Sequence, residues 1–143
     1  MKIWFDMDGT IADLYAVDDW LPKLRAYDPS PYRDAAPMIH LSTLARLLNR
    51  LQRQGYEIGI ISWLSKDPDP AYGADVTLAK IKWLKKHLAS VNWDHINIVP
   101  YGTPKHEICG EGILFDDEEK NRENWGENAY DPCEILNVLK SLF

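Results

Sequence analysis

The first side chains that could carry chemistry are two carboxylates separated by one residue. Asp6 and Asp8 follow the apolar stretch KIWF and precede Gly9, where the chain can turn. Carboxylate oxygens are hard ligands suited to magnesium, and a carboxylate held beside that ion can attack phosphorus to form an aspartyl-phosphate. If the chain turns at Gly9, the second acid could protonate the leaving oxygen and then activate water. The pair therefore predicts phosphoryl chemistry at the end of the first strand.

Other polar side chains follow later segments of the chain. Ser62 ends the stretch YEIGIIS, Lys105 lies in TPKHEI, and Asp116 and Asp117 end GILFDD. Because ligands collect at the carboxyl ends of parallel strands, we expect these groups to meet Asp6 at one edge of a sheet. A phosphoryl group is negatively charged, so the serine, the lysine and free backbone N–H groups are its complementary partners. The lysine also keeps a neighbouring carboxylate ionised.

The hydrophobic pattern predicts the elements that must position these residues. Strands are predicted over 2–6, 56–62, 95–100, 112–117 and 127–130. Helices are predicted around 44–51, over 75–88, over 103–108 with Thr103 as the cap, and from 131 to the end. A loop is predicted over 65–73. Strands that alternate with helices imply an α/β fold, a three-layer sandwich with one central parallel sheet.

The stretch from about 12 to 37 interrupts this alternation. We expect a short helix within 12–27 and a loop over 28–37. Four aromatic residues cluster here: Tyr15, Trp20, Tyr27 and Tyr32. Such rings can stack on a base or a sugar, but we favour the interpretation that they pack a small lid without a core of its own.

Composition narrows the class of protein. A chain of 143 residues with 45% hydrophobic residues is sufficient for one domain with a real core. The net charge of −6 argues against broad nucleic-acid binding. No apolar run approaches the ~18 residues that cross a bilayer, so no membrane association is expected. Two cysteines and the absence of a basic-then-apolar leader favour a cytoplasmic location.

Taken in order, the stretches DMDGT and IGIIS, the residue Lys105 and the stretch ILFDD resemble the four motifs of the haloacid dehalogenase-like hydrolase superfamily. The resemblance covers residues 2 to about 121. It implies a Rossmann-like fold with a cap inserted after the first strand, and a magnesium-dependent phosphatase acting on a small phosphorylated substrate. The stretch FDMDGTIAD is similar to the 5'(3')-deoxyribonucleotidase branch, which suggests a nucleotide, although the insertion is shorter than that branch usually carries.

The resemblance also implies roles for the acidic residues. Asp6 would be the nucleophile and Asp8 the general acid/base. The metal would be held by Asp6, the backbone carbonyl of Asp8, and Asp116, with Asp117 in support. Two further residues are candidates for contact with the metal through water: Glu118 and Asn121.

For the phosphoryl group, the resemblance implies Ser62 and Lys105 as ligands, with Thr10 supporting the phosphate-binding loop. A rival lysine exists at Lys80, which we expect on the solvated side of its helix. Trp63 directly follows Ser62, so we expect its ring to line the pocket.

Two other classes of protein remain as hypotheses. Response-regulator receivers use acids, a hydroxyl and a lysine on a similar sheet, but their acceptor aspartate follows the third strand. Here the third strand reads INIVP and ends without an aspartate, which disfavours a receiver. A non-catalytic scaffold that kept the fold is the third hypothesis, and the presence of Asp8 argues against it.

Overall fold

A computed structural model describes residues 1–66 and 69–143. Its strands are β1 (Lys2–Phe5), β2 (Ala12–Asp13), β3 (Ala36–Pro37), β4 (Glu57–Trp63), β5 (His95–Val99), β6 (Ile113–Phe115) and β7 (Ala129–Tyr130). Its α-helices are α1 (Trp20–Arg25), α2 (Ser30–Asp34), α3 (Leu41–Arg53), α4 (Pro70–His87), α5 (Lys105–Cys109), α6 (Glu119–Trp125) and α7 (Ile135–Ser141). Single turns of 3-10 helix cover Leu14–Ala16 and Pro132–Glu134.

The main sheet is parallel, as predicted from the sequence. Its spatial order is β5–β4–β1–β6–β7, and every neighbouring pair runs parallel. Phe5 in the central strand β1 is level with Ile60 of β4 and Phe115 of β6. The residues that follow these three positions therefore emerge side by side at one edge of the sheet.

Helices cover both faces of this sheet, because β1 alternates its side chains between them. Ile3 and Phe5 lie on one face and Trp4 on the other, and all three are buried. The first face packs against α3, α4 and α7 through Leu44, Leu47, Leu48, Leu51, Trp83, Leu84, Ile135 and Leu139. The second packs against Cys109 and Trp125, from α5 and α6. The three-layer α/β sandwich is thus confirmed.

Helix α4 begins at Pro70, five residues before the start predicted from the sequence over 75–88. The carboxylate of Asp69 caps it by accepting a bond from a backbone N–H in the first turn. The predicted loop over 65–73 is therefore wrong from Pro70 onward, and positions 67 and 68 of that loop lie outside the described residues.

Two other predictions from the sequence are corrected. The expected loop over 28–37 contains helix α2, which begins where the carboxylate of Asp28 accepts a bond from the Ser30 N–H (2.9 Å). The cap of α5 is Pro104 rather than Thr103. Helix α6 was not predicted, because its sequence EKNRENW has no apolar periodicity.

In the part of the chain that the structure describes, no helix is both long and apolar enough to cross a membrane.

Residues 12–37, called the insertion below, rest on helix α4. Strands β2 and β3 pair in antiparallel fashion at its base. The indole Nε1 of Trp83 donates to the carbonyl of Ala35 (2.8 Å), and the hydroxyl of Tyr72 donates to the carbonyl of Asp28 (3.0 Å). Both donors belong to α4, so one helix face holds the insertion against the sheet.

The 3-10 turn Pro132–Glu134, which leads directly into the last helix, begins with a reciprocal cap that predicts a measurable stability effect. Asp131 accepts a bond from the Cys133 N–H (3.0 Å), while its own N–H donates to Glu134 (3.3 Å). We expect Asp131→Ala to lower the free energy of unfolding by about 1 kcal/mol at pH 7, and Asp131→Asn, which keeps an acceptor oxygen, to lower it less. Urea denaturation of the three proteins measures this.

The same cap sets the pH dependence. The backbone N–H of Cys133 lowers the pKa of the Asp131 carboxyl below its usual value. The contribution of the charge is therefore complete above the unfolded-state pKa of about 3.9 and is lost as the pH falls through the lower, folded-state pKa. The difference between wild type and Asp131→Ala should narrow at acidic pH. Equal stability of the two proteins at pH 7 would contradict this account.

Candidate active site

The loop that follows β1 wraps around one backbone carbonyl. The N–H groups of Thr10, Ile11 and Ala12 all donate to the carbonyl of Met7, at 2.9 to 3.1 Å. Gly9 allows this tight turn because its φ of +77° is a conformation that residues with a Cβ rarely adopt. The turn brings Asp8 back over the end of the sheet, as the sequence predicted.

A second requirement for glycine at position 9 comes from the neighbouring strand end. A Cβ at Gly9 would lie 2.3 Å from Oδ2 of Asp117, closer than any real contact. Strand β6 ends directly beside β1, so Asp117 packs against the loop. The hydroxyl of Thr10 also lies between the two strand ends, 3.1 Å from Asp6 Oδ2 and 3.5 Å from Asp117 Oδ1.

Lys105 joins the two strand ends electrostatically. Its ammonium donates to Asp6 Oδ1 (3.0 Å) and to Asp116 Oδ2 (2.7 Å), and all three side chains are buried. Burial alone lowers the pKa of this lysine, but the charges of Asp6 and Asp116 outweigh burial and raise it above its usual value. Lys105 is therefore held as a cation between two carboxylates.

The carboxylates crowd together at this edge. Oxygens of Asp6, Asp116 and Asp117 lie within 4.8 Å of one another, a group that could hold a metal ion. Burial, followed by the charge of Asp6, raises the pKa of Asp116 to about 6 and that of Asp117 to about 8. Asn121 donates to Asp116 (3.2 Å) and so contacts this carboxylate directly. Carboxyl groups in such a cluster bind either a proton or a cation.

Lys80 contradicts its prediction from the sequence. It was expected on the solvated side of α4, but its side chain is fully buried at the site. Its ammonium donates to Asp8 Oδ2 (2.8 Å), Ser62 Oγ (2.7 Å) and the carbonyl of Trp63 (2.6 Å). The site therefore contains a second buried cation beside Lys105.

A sequence signal for this lysine did exist. Val76, Lys80 and Leu84 are four residues apart, so they share one stripe of α4, and both apolar members are buried. A lysine that interrupts a buried stripe must find a partner for its charge. Only the tertiary fold reveals that the partner is Asp8, which lies 72 residues away along the chain.

A cavity of about 270 Å³ opens over the strand ends. Of the residues proposed for chemistry, Asp6, Asp8, Lys105, Asp116 and Asp117 line it. Among the described residues, Thr10 and Ser62 do not line it: both are buried beneath, in contact with Asp6 and Lys80 respectively. The structure thus brings five of the predicted residues to one solvent-accessible site.

The remaining walls of the cavity are mostly apolar. The insertion contributes Leu14, Tyr15, Trp20, Leu21, Leu24 and Tyr32. Strand β4 contributes Trp63 at its end, the segments that follow β4 and β5 contribute Leu64, Ser65, Lys66 and Tyr101, and Glu118 completes the rim. Trp63 does line the pocket, as expected, and its ring centroid lies 5.3 Å from the Lys105 ammonium.

The aromatic residues of the insertion divide between packing and lining. Tyr32 is buried and packs against α4, yet it also forms part of the wall. Tyr15 is half exposed and meets Trp20 edge to face, with ring centroids 5.0 Å apart. Tyr27 pairs with Tyr72 outside the cavity. An aromatic ring of the insertion can therefore both pack the insertion and line the cavity. Three of the four rings line the cavity: Tyr15, Trp20 and Tyr32.

Comparison with known proteins gives a match in structure only. By sequence, the chain matches no family model and no curated protein. It is similar in structure to D,D-heptose 1,7-bisphosphate phosphatase from Burkholderia thailandensis, with a TM-score of 0.58, 10% identity, and coverage of 99% of this chain and 97% of that one. It is also similar to a chain of the Pnkp1/Rnl/Hen1 complex, with a TM-score of 0.57 and 16% identity over 91% of this chain and 44% of that one.

These likenesses establish the fold. The chain has the fold of the haloacid dehalogenase-like superfamily, which confirms at this level the resemblance seen in the four sequence motifs. The smaller share of the second structure means that the chain corresponds to less than half of that longer protein.

Proposed function

We propose that this protein is a magnesium-dependent phosphomonoester hydrolase that works through an aspartyl-phosphate on Asp6. The observation that carries the proposal is the convergence of four carboxylates and Lys105 on one cavity, from strand ends that lie more than 100 residues apart in sequence. The likeness in fold to a phosphatase supports the same reaction class.

The donor set fits a magnesium ion. Asp6, Asp116 and Asp117 offer hard oxygen ligands within reach of one another, and the carbonyl of Asp8 is the fourth candidate. Within the described residues, two buried ammonium groups contact the four carboxyl groups: Lys105 contacts Asp6 and Asp116, and Lys80 contacts Asp8. Four carboxyl groups against two cations leave two carboxyl groups whose charge a divalent cation can balance when it displaces their protons. When bound, the ion would stabilise negative charge on the transferring phosphoryl group.

The residues of the chain provide the two half-reactions. In the first, a carboxylate oxygen of Asp6 forms a bond to phosphorus as the bond from phosphorus to the leaving oxygen breaks, and Asp8 donates a proton to that oxygen. In the second, Asp8 takes a proton from water, the water oxygen forms a bond to phosphorus as the bond from phosphorus to Asp6 breaks, and the Asp6 carboxylate and inorganic phosphate are the products. Lys105 offsets phosphoryl charge throughout.

The environment of Asp8 supports its role as the acid. Burial raises the pKa of this carboxyl, and the charge of Asp6 raises it further, whereas the ammonium of Lys80 opposes the rise. The net rise makes this carboxyl easier to protonate than an ordinary aspartate, which suits a group that must carry a proton to a leaving oxygen.

For the substrate, the walls favour a nucleotide. Rings of Tyr15, Trp20, Trp63 and Tyr101 surround the space beyond the carboxylates, and aromatic faces are complementary to a base. A polyhydroxylated sugar would instead require many polar partners, and beyond the acidic cluster and Lys105 the wall has few: Ser65, Lys66 and Glu118.

Release of inorganic phosphate from a substrate panel tests this proposal. The panel contains 3' and 5' nucleotides, oligonucleotides with terminal phosphate, sugar phosphates and p-nitrophenyl phosphate, each with magnesium or with EDTA. We expect release only with magnesium, and a kcat/KM at least about tenfold higher for nucleotides than for sugar phosphates, since base stacking contributes ~1–3 kcal/mol.

Two results would overturn it in different ways. A stable phosphoaspartate formed from acetyl phosphate, without turnover, would indicate a receiver-like module. No phosphate from any substrate at any magnesium concentration would indicate a non-catalytic scaffold. A preference for sugar phosphates would retain the phosphatase and reject the nucleotide.

A further inference from the structure

The buried ammonium of Lys80 has no capacity left for a substrate. A protonated lysine has three N–H donors. Lys80 uses them on Asp8 Oδ2, Ser62 Oγ and the Trp63 carbonyl, at 2.6 to 2.8 Å, and its side chain is only 1% exposed. Lys80 also does not line the cavity. Lys80 therefore has no N–H left to donate to a substrate, and its direct contacts are with the groups that it holds.

The main such group is Asp8. Its Oδ2 is fixed by the ammonium of Lys80, and in the described residues no hydrogen bond reaches its Oδ1. The side chain of Asp8 is 16% exposed and lines the cavity. With one oxygen anchored below, Oδ1 is the oxygen left to exchange a proton with a group in the cavity.

Ser62 and Trp63 give this anchor its rigidity. Both belong to the end of β4, and Lys80 bonds a side-chain oxygen of the first and a backbone oxygen of the second. Tyr32 of the insertion adds its ring face 5.0 Å from the ammonium. The cation is thus tied to the sheet and to the insertion, so the Asp8 carboxylate cannot swing without breaking a buried ion pair.

We propose that Lys80 is a positioning residue that anchors Asp8 Oδ2 and so presents Oδ1 for proton transfer to the leaving oxygen. This inference rests on the proposed hydrolase function. It goes beyond that function by assigning the proton transfer to one atom and the orientation of that atom to a lysine outside the four sequence motifs.

Leaving groups of different basicity test the proposal. A poor leaving group, such as the ribose oxygen of a nucleotide, needs a proton, whereas p-nitrophenolate departs without one. In a single-turnover measurement of leaving-group release, which reports the first half-reaction alone, we expect Lys80→Met to lower the rate constant for the nucleotide about 10- to 100-fold, within the range for general acid catalysis, and that for p-nitrophenyl phosphate less than about threefold. Asp8→Asn should give the same selective loss in this half-reaction, since its role as the base for water belongs to the second.

The double variant gives a second readout. Because Lys80 acts through Asp8, Asp8→Asn/Lys80→Met should be no slower on the nucleotide than Asp8→Asn alone. The double variant also removes both buried charges, so it keeps the test usable if Lys80→Met leaves an unpaired acid and fails to fold. Lys80→Arg keeps the charge but changes the donor geometry, and should recover part of the selective loss.

Lys82→Met is the matched control, because Lys82 is exposed on the same helix and should behave as wild type on both substrates. Three results would overturn the assignment: equal loss on both substrates, a rise in KM alone, or additive losses in the double variant. If wild type released no phosphate from either substrate, the hydrolase function itself would fail. If only the role of Lys80 were wrong, wild type would still release phosphate and Asp6→Asn would still be inactive.

Discussion

Asp6→Asn is expected to abolish phosphate release while leaving the protein folded. The amide has the shape of the carboxylate and keeps one acceptor oxygen for Lys105, but it cannot act as the nucleophile. Loss of a covalent nucleophile costs on the order of 10⁴-fold or more in kcat. The measurement is release of inorganic phosphate with saturating substrate and magnesium, with the circular dichroism spectrum and thermal unfolding recorded in parallel.

A control variant that removes a carboxylate outside the cavity distinguishes loss of the nucleophile from loss of one negative charge. Asp75 is exposed on helix α4, so Asp75→Asn removes one carboxylate without touching the cavity, and we expect wild-type turnover. Acid quenching of wild type during turnover should trap phosphate on the protein, whereas Asp6→Asn should trap none. Folded Asp6→Asn protein with full turnover would refute the nucleophile assignment.

Gly9→Ala is expected to cause the second-largest loss, through geometry rather than chemistry. The new Cβ would lie 2.3 Å from Asp117 Oδ2 and 2.7 Å from its carboxyl carbon, and the backbone φ of +77° adds strain for alanine of about 1–2 kcal/mol. Either Asp117 or the loop that carries Asp8 must move. We expect magnesium affinity to fall at least about tenfold, and phosphate release to fall with it.

Gly110→Ala is the control for backbone strain. Gly110 has the same φ of +77°, but nothing lies within 4 Å of its added Cβ. It should lose stability in urea denaturation while binding magnesium as wild type does in titration calorimetry. If Gly9→Ala retained wild-type magnesium affinity and turnover, the close approach of Asp117 to the loop would not be needed for function.

The sequence was sufficient to predict that the acidic residues of the candidate site lie close together. Asp6 and Asp116 end apolar stretches, and apolar stretches that alternate with helices form parallel strands whose carboxyl ends meet. The level register of Phe5 and Phe115 in adjacent strands places the two acids together. The inference that Asp6 and Asp116 are neighbours needs only the local hydrophobic pattern and a general rule of sheet topology. It could therefore be drawn although the two residues are 110 positions apart in the sequence.

The buried cation and the layout of the insertion could not be predicted in the same way. The apolar stripe of α4 shows that Lys80 is buried, but its partner is fixed by how α4 docks on the sheet. Helix α2 begins at a local turn made by Asp28, and its packing on α4 depends on Tyr32. Contacts of this kind depend on tertiary geometry, for which a single sequence carries little periodic signal.

The docking of the insertion on α4 has a consequence for protein engineering. A chimera that exchanged residues 12–37 for a foreign lid would remove the carbonyl of Ala35 from the indole of Trp83 and the ring of Tyr32 from the Lys80 ammonium. Lys80 also donates a hydrogen bond to Asp8. A foreign lid that was introduced to change substrate selectivity would therefore also disturb the position of Asp8. The transplantable module is therefore the lid together with the α4 surface that supports it.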